Sequence, residues 1–267
     1  MTAIITEKFR AHNANQFYES FTESSGNTYY LMIGKATAFS SGTSGGTDDS
    51  PPTPADDISS EFYTWDSSIA AKKIASSNIT YAIPRRDWAN GTIYDMYEDN
   101  ISSSNATTSG ATNIFDSTFF FRTSDNRVYK VLDNNGGSAY SGAEPTSEST
   151  STFVLGGYTL KYMYSITASE QATFLTTDFM PVSTDSTVSS AAVDGSISSI
   201  IVTNTGSGLT NGTYYAAVYG DGTSAGTSSG AIIKISVASN VISAVSTGNT
   251  GIQQAGAGYT FGTVNLS

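Results

Sequence analysis

The chain has 267 residues, 38% of them hydrophobic and 12% aromatic, enough for a real core in one large domain or two smaller ones. Only 13% are charged, about half the usual share of roughly 25%, and Ser, Thr, Asn and Gly fill the gap, which favours turns and strands over long helices. The net charge of −11 sets 12 basic residues against 23 acidic ones, which argues against nucleic acid and anionic membranes, and the lack of Cys excludes disulfides, thiolate metal sites and thiol nucleophiles.

The first ten residues show no apolar secretory core, and no segment approaches the roughly 20 apolar residues of a membrane span. Residues 5–21 read as a helix, with Phe9, Phe17 and Phe21 toward one face and Thr6 as its cap. TYYLMIGKATAF (28–39) reads as a buried strand, and 40–57 as a loop with three prolines. A second helix is expected around Ser67 to Ser76, with Ile69 and Ile74 inward. NITYAIPRRDW (78–88) reads as a strand that ends at Pro84, and GTIYDMYEDN (91–100) alternates in part. TFFFRT (118–123) and RVYKVLDNNGG (127–137) form a predicted hairpin region, with Asn134 to Gly137 supplying a turn that tolerates positive φ. GYTLKYMYSI (157–166) is a further strand, and SEQATFLT (169–176) a short helix capped by Ser169.

Residues 183–196 are small, polar and without a period, as in a linker. Beyond them lies a degenerate repeat. Ile197 to Ile200 leads to Asn204-Thr205-Gly206 and then GSGLT, while Ile242 to Val245 leads to Asn249-Thr250-Gly251 and then GAGYT. GAIIKISVAS (230–239) between the copies is the strongest strand of this region, which reads as a small all-β module.

Each chemical motif has a simpler reading. The glycine triplets lack the Lys-Ser or Lys-Thr of a phosphate loop, so they read as turns. His12 reads as a helix-surface or packing residue. Asp48, Asp49, Asp56 and Asp57 lack EF-hand spacing and read as a solvated acidic loop. Asp95, Glu98 and Asp99 could pair as a glycosidase acid and base, but a solvated or interface-facing acidic turn is the simpler account. No catalytic constellation, cofactor or metal ion is expected. The aromatics Trp65, Trp88, Tyr94, Tyr97, Tyr158, Tyr162 and Tyr164 fall in or near strands with Arg85, Arg86 and Arg122. Tyr, Trp and Arg are enriched at interface centres, though ordinary core packing accounts for them equally well. Arg85, Arg86, Trp88, Tyr94 and Tyr97 are the candidate interface residues.

KFRAHNANQFYESF (8–21), AIPRRDWANGTIYDMYEDN (82–100), RVYKVLDNNGG, EPTSEST (144–150), GYTLKYMYSI and FLTTDFMPV (174–182) occur in that order. Together they resemble the baseplate wedge subunit of T-even-like contractile-tailed phages, particularly the marine cyanophage type. The resemblance covers roughly residues 1–182. It implies a mixed, largely β fold, paired copies within each wedge, and wedges joined around a central hub of the virion tail. The chain departs from the pattern in being shorter and in carrying the Gly-rich module, whose turns are similar to repeats in other marine phage virion proteins.

The expected fold is therefore α+β and predominantly β: a mixed domain with antiparallel sheets over 1–182, a linker over 183–196, and an all-β module over 197–267. The expected function is that of a non-enzymatic baseplate wedge subunit, assembled in the host cytoplasm, with other wedge proteins and its own copies as partners and neither nucleic acid nor membrane. The alternative is a carbohydrate-binding tail or fibre protein touching the host surface, which a concave aromatic groove on the C-terminal module would favour. A secreted glycoside hydrolase is a third, which the missing signal peptide argues against.

Overall fold

In the computed structural model, contacts divide the chain into two units, Met1–Tyr81 and Ala82–Ser267. The structure describes residues 7–23, 27–34, 47, 49–50, 53, 57–58, 65–98, 101–198, 200, 202, 204–220, 228–245, 251–259 and 262–264. Thr6, Asp48, Asp56 and Asp99 lie outside these residues, as does most of the proline-rich loop.

In the first unit, α1 (Glu7–Glu19) matches the expected helix. Phe17 and Phe21 close on Tyr29, with ring centroids 5.6 and 4.4 Å away, and Tyr18 stacks on Tyr81 at 4.7 Å. Phe9, by contrast, is exposed. Strand β1 (Tyr29–Gly34) pairs antiparallel with β2 (Ser68–Ile74) as a two-stranded ribbon. This corrects two expectations. The stretch read as a helix is β2, because pairing with β1 overrides the helix propensity of Ala70, Ala71, Lys72 and Lys73. The strand read as buried is exposed, with Tyr30, Leu31 and Ile33 more than half accessible.

The second unit is built on an antiparallel sheet in the order β4 (Phe120–Arg122), β5 (Arg127–Asp133), β7 (Tyr158–Ser165), β6 (Phe153–Leu155). Asn126 at φ 64° closes the β4–β5 turn, and Asn135, Gly136 and Gly137 take positive φ where the sequence supplied them. The register slips between Val128 and Tyr129, and the core divides there. The pair Tyr129–Tyr162 joins a cluster with Tyr94, Phe121, Val131, Tyr140, Tyr158 and Leu160, whereas Val128–Tyr164 joins Phe120, Ile166 and Met180. Each such side chain contributes roughly 1.5–3 kcal/mol by leaving water.

The buried tyrosines also tie down loops. Their hydroxyls donate to backbone carbonyls, Tyr129 to Ser147 at 2.8 Å, Tyr140 to Ala143 at 2.9 Å, Tyr158 to Ser138 at 2.6 Å and Tyr164 to Pro181 at 2.9 Å. Burial raises the pKa of each, that of Tyr140 to about 12.

Strand β3 (Tyr81–Pro84) pairs with β8 (Phe179–Val182) beside the second cluster. Helix α2 (Ala168–Phe174) precedes β8, and its cap is Thr167, two residues before the expected Ser169. Thr167 and Glu170 form a reciprocal capping box. Within 183–196, Asp185 caps the short helix α3 (Ser186–Ala191).

Toward the C-terminus, β9 (Gly212–Ala217), β12 (Val241–Val245) and β13 (Ile252–Ala257) all pair antiparallel with a long β11 (Ser229–Ala238). A small sheet joins β10 (Tyr219–Gly220) to β14 (Gly262–Thr263). Ala231, Ile233, Ile235 and Val237 alternate inward along β11. The two repeat copies share backbone geometry: Gly206 and Gly208 stand at φ 67° and 72°, Gly256 and Gly258 at 65° and 77°. Tyr259, which follows the second glycine triplet, is buried, and its hydroxyl donates to the Val218 carbonyl at 3.1 Å. The architecture is thus α+β, predominantly β, with several antiparallel sheets and few helices.

Candidate functional site

After Pro84 the chain leaves β3 and runs beside the edge strand β4. The Trp88 amide donates to the Arg122 carbonyl at 2.8 Å, and the Arg122 amide to that of Arg86 at 2.7 Å. This run covers an edge of the sheet that would otherwise present unpaired backbone groups. Its charged side chains turn back onto the same chain. Asp87 bridges Arg85 at 2.8 Å and Arg122 at 2.7 Å. Burial alone would raise the Asp87 pKa, but hydrogen bonds from Arg85 and Arg122 outweigh it and hold the carboxyl below its usual range. Arg85 also donates to the Thr176 carbonyl at 2.9 Å.

Arg86 reaches the loop before β4. Its guanidinium donates to the carbonyls of Phe115 at 3.3 Å and Asp116 at 3.0 Å, and its Cζ lies 5.5 Å from the centre of the Phe120 ring. Trp88 meets Tyr140 edge to face at 5.8 Å and packs against the first cluster. Tyr94 is 3% exposed and belongs to that cluster, so it offers no surface to a neighbour. Tyr97 is half-buried, and the Lys130 ammonium lies 3.2 Å from the centre of its ring. Of the five candidate interface residues, the structure thus places Tyr94 in the core, sets Arg86 and Trp88 as internal supports, and leaves Arg85 and Tyr97 partly accessible.

Asp95 is also internal, which corrects the acidic-turn reading. Its carboxylate is fully buried and accepts from the Ser109 amide and hydroxyl, both at 2.7 Å, from the Thr118 amide at 2.8 Å and from the Ser117 hydroxyl at 3.1 Å. Desolvation alone would raise its pKa, but these hydrogen bonds more than compensate and keep it low. Glu98 accepts from Asn105 at 2.9 Å. Among the described residues no three His, Asp or Glu side chains converge as a metal site.

Together these bonds pin both ends of the loop from Ser109 to Thr118, and the loop presents two apolar residues. Phe115 is 63% exposed and Ile114 is also exposed. Asn113 reinforces the tip: its side-chain carbonyl accepts from the Asp116 amide at 3.1 Å, and its amide donates to the Asp116 carboxylate at 2.7 Å. This tip carries only a weak mark in the sequence. Its signal was an apolar pair, Ile114-Phe115, flanked by the turn-forming Asn113 and Asp116. On the C-terminal strands, Tyr215 and Tyr219 are exposed as well.

Residues 3–137, just over half of the chain and including this whole segment, match the family described as Bacteriophage T4, Gp8. The chain belongs to that family. It is 30% identical over 118 residues to the baseplate wedge protein gp8 of Enterobacteria phage T4, a match covering 41% of this chain. The chain spans about a third of the length of that relative, 35%. The sheet strands β6 and β7 and the C-terminal module lie beyond the family match.

Proposed function

We propose that this Gp8-family chain is a structural subunit of a phage tail baseplate wedge, a virion part that works by holding neighbours in place and not by catalysis. The observation that carries this reading is the Ile114–Phe115 tip: a large aromatic side chain held in solvent by a loop pinned through Arg86 and Asp95. An exposed aromatic on a preorganised loop binds without first paying to order itself, the property of an interface anchor. In this reading Arg86 and Trp88 position the tip from beneath, and Arg85 and Tyr97 contribute accessible polar edge. Asp95 and Glu98 are engaged in structural hydrogen bonds, which supports a non-catalytic role for both. The partners are other wedge proteins and further copies of this chain.

The test is sedimentation of the purified chain with the other wedge subunits. Phe115→Asp is expected to leave the melting curve unchanged and to weaken assembly by about 30-fold or more, the equivalent of an anchor worth roughly 2 kcal/mol. Normal assembly by a folded Phe115→Asp protein would remove the tip from the interface.

A further inference from the structure

Lys130 on β5 and Lys161 on β7 are direct register partners, so their side chains rise from the same face of the sheet. Like charges set opposite each other repel and destabilise the pair. The chain has 23 acidic residues, yet among the described residues neither lysine has a carboxylate at ion-pair distance. Lys161 opens onto a recess of about 370 Å³ lined by the hydroxyl residues Thr150, Ser151, Thr152, Ser196 and Ser198, with no acidic residue in its wall. The Lys130 ammonium lies over the Tyr97 ring, so Lys161 is the cation that lines the recess, and a cation beside a wall of hydroxyls is the chemistry that receives an anion.

We propose that this recess is an anion-binding site, in which Lys161 receives an oxyanion group and hydroxyls of the wall donate to it, with Lys130 as the neighbouring charge whose repulsion the anion relieves. The group is either a free phosphate or a carboxylate side chain from a neighbouring subunit. The inference does not rest on the wedge reading.

The full chain is melted in sodium phosphate, sodium acetate and sodium chloride at matched ionic strength. Phosphate or acetate is expected to raise Tm by about 3 °C or more over chloride. A response to phosphate alone assigns the site to phosphate, and a response to acetate assigns it to carboxylates. Lys161→Gln should abolish the response. In chloride it should melt no lower than the parent, because it relieves the repulsion with Lys130. Lys161→Arg should keep the response. Equal Tm in all three salts, or a response that survives Lys161→Gln, would overturn the proposal.

Discussion

Replacing Asp95 with Asn tests whether the buried carboxylate organises the loop that carries Phe115. The substitution preserves shape, so packing is not at issue. In the native protein the Ser109 amide donates to Oδ1 and the Thr118 amide to Oδ2. Asn offers one oxygen and one NH2 group. Whichever way it turns, one of those backbone N–H groups faces another donor, and the remaining bonds lose their charge assistance. A buried donor left unpaired costs about 1–3 kcal/mol, and weakening charged hydrogen bonds to neutral ones adds roughly 1 kcal/mol or more. The expected loss is therefore about 3 kcal/mol, read as a lowered urea midpoint and a Tm lower by about 8 °C. The pH dependence gives a second check. The folded pKa of Asp95 lies below its unfolded value, so its contribution is fully present above the ordinary Asp range near 4 and is lost as pH falls through the folded pKa. The gap between parent and Asp95→Asn should narrow toward acid pH. A loss under about 1 kcal/mol at neutral pH, or a gap independent of pH, would show that the ionised carboxylate does not organise the loop.

Three further outcomes are expected. Arg86→Ala with Trp88→Ala should lower stability by about 3 kcal/mol or more in a urea titration, since it removes the support of the Phe115 carbonyl and an aromatic contact with Tyr140; an unchanged midpoint would return both residues to the surface. Burial and the charge of Lys161 lower the Lys130 pKa to about 8, so the unfolded chain holds its proton more tightly and stability should rise from about pH 8 toward pH 9.5; Lys130→Met should erase that rise and gain on the order of 1 kcal/mol at pH 7, and a rise that persists would contradict the assignment. The C-terminal module is proposed to fold alone, and a fragment from Asp194 should outlast one from Ile197 in denaturant, because the Gly258 amide donates to the Asp194 carbonyl and the Tyr259 amide to that of Gly195, both at 3.0 Å; equal midpoints would show that these bonds add nothing.

Much of the β framework was legible because its signals are local. Strands β5, β7 and β11 are β-branched and aromatic runs, and the turn at Asn134 to Gly137 carries the residues that positive φ demands. The repeat was legible in the same way, through glycines that recur with matching φ. What sequence concealed was set by partners distant in the chain. Strand β2 looked helical because its own residues are, and only the neighbouring β1 makes it a strand. Asp95 looked solvated because its donors Ser109, Ser117 and Thr118 lie 14 to 23 positions away. Arg85 and Arg86 read as candidate interface residues because the groups that engage them include the carbonyls of Thr176, Phe115 and Asp116, which every residue type carries. The exposed Phe115 was not legible, because exposure is a property of the fold.

The central claim is that this chain acts as a wedge subunit through contacts with its neighbours. An electron cryomicroscopy map of the intact virus particle tests it most directly. Density for the β4–β5–β7–β6 sheet is expected within the baseplate wedge, with a neighbouring subunit packed over Phe115. Density for this chain outside the baseplate, or a Phe115 left open to solvent in the assembled wedge, would contradict it.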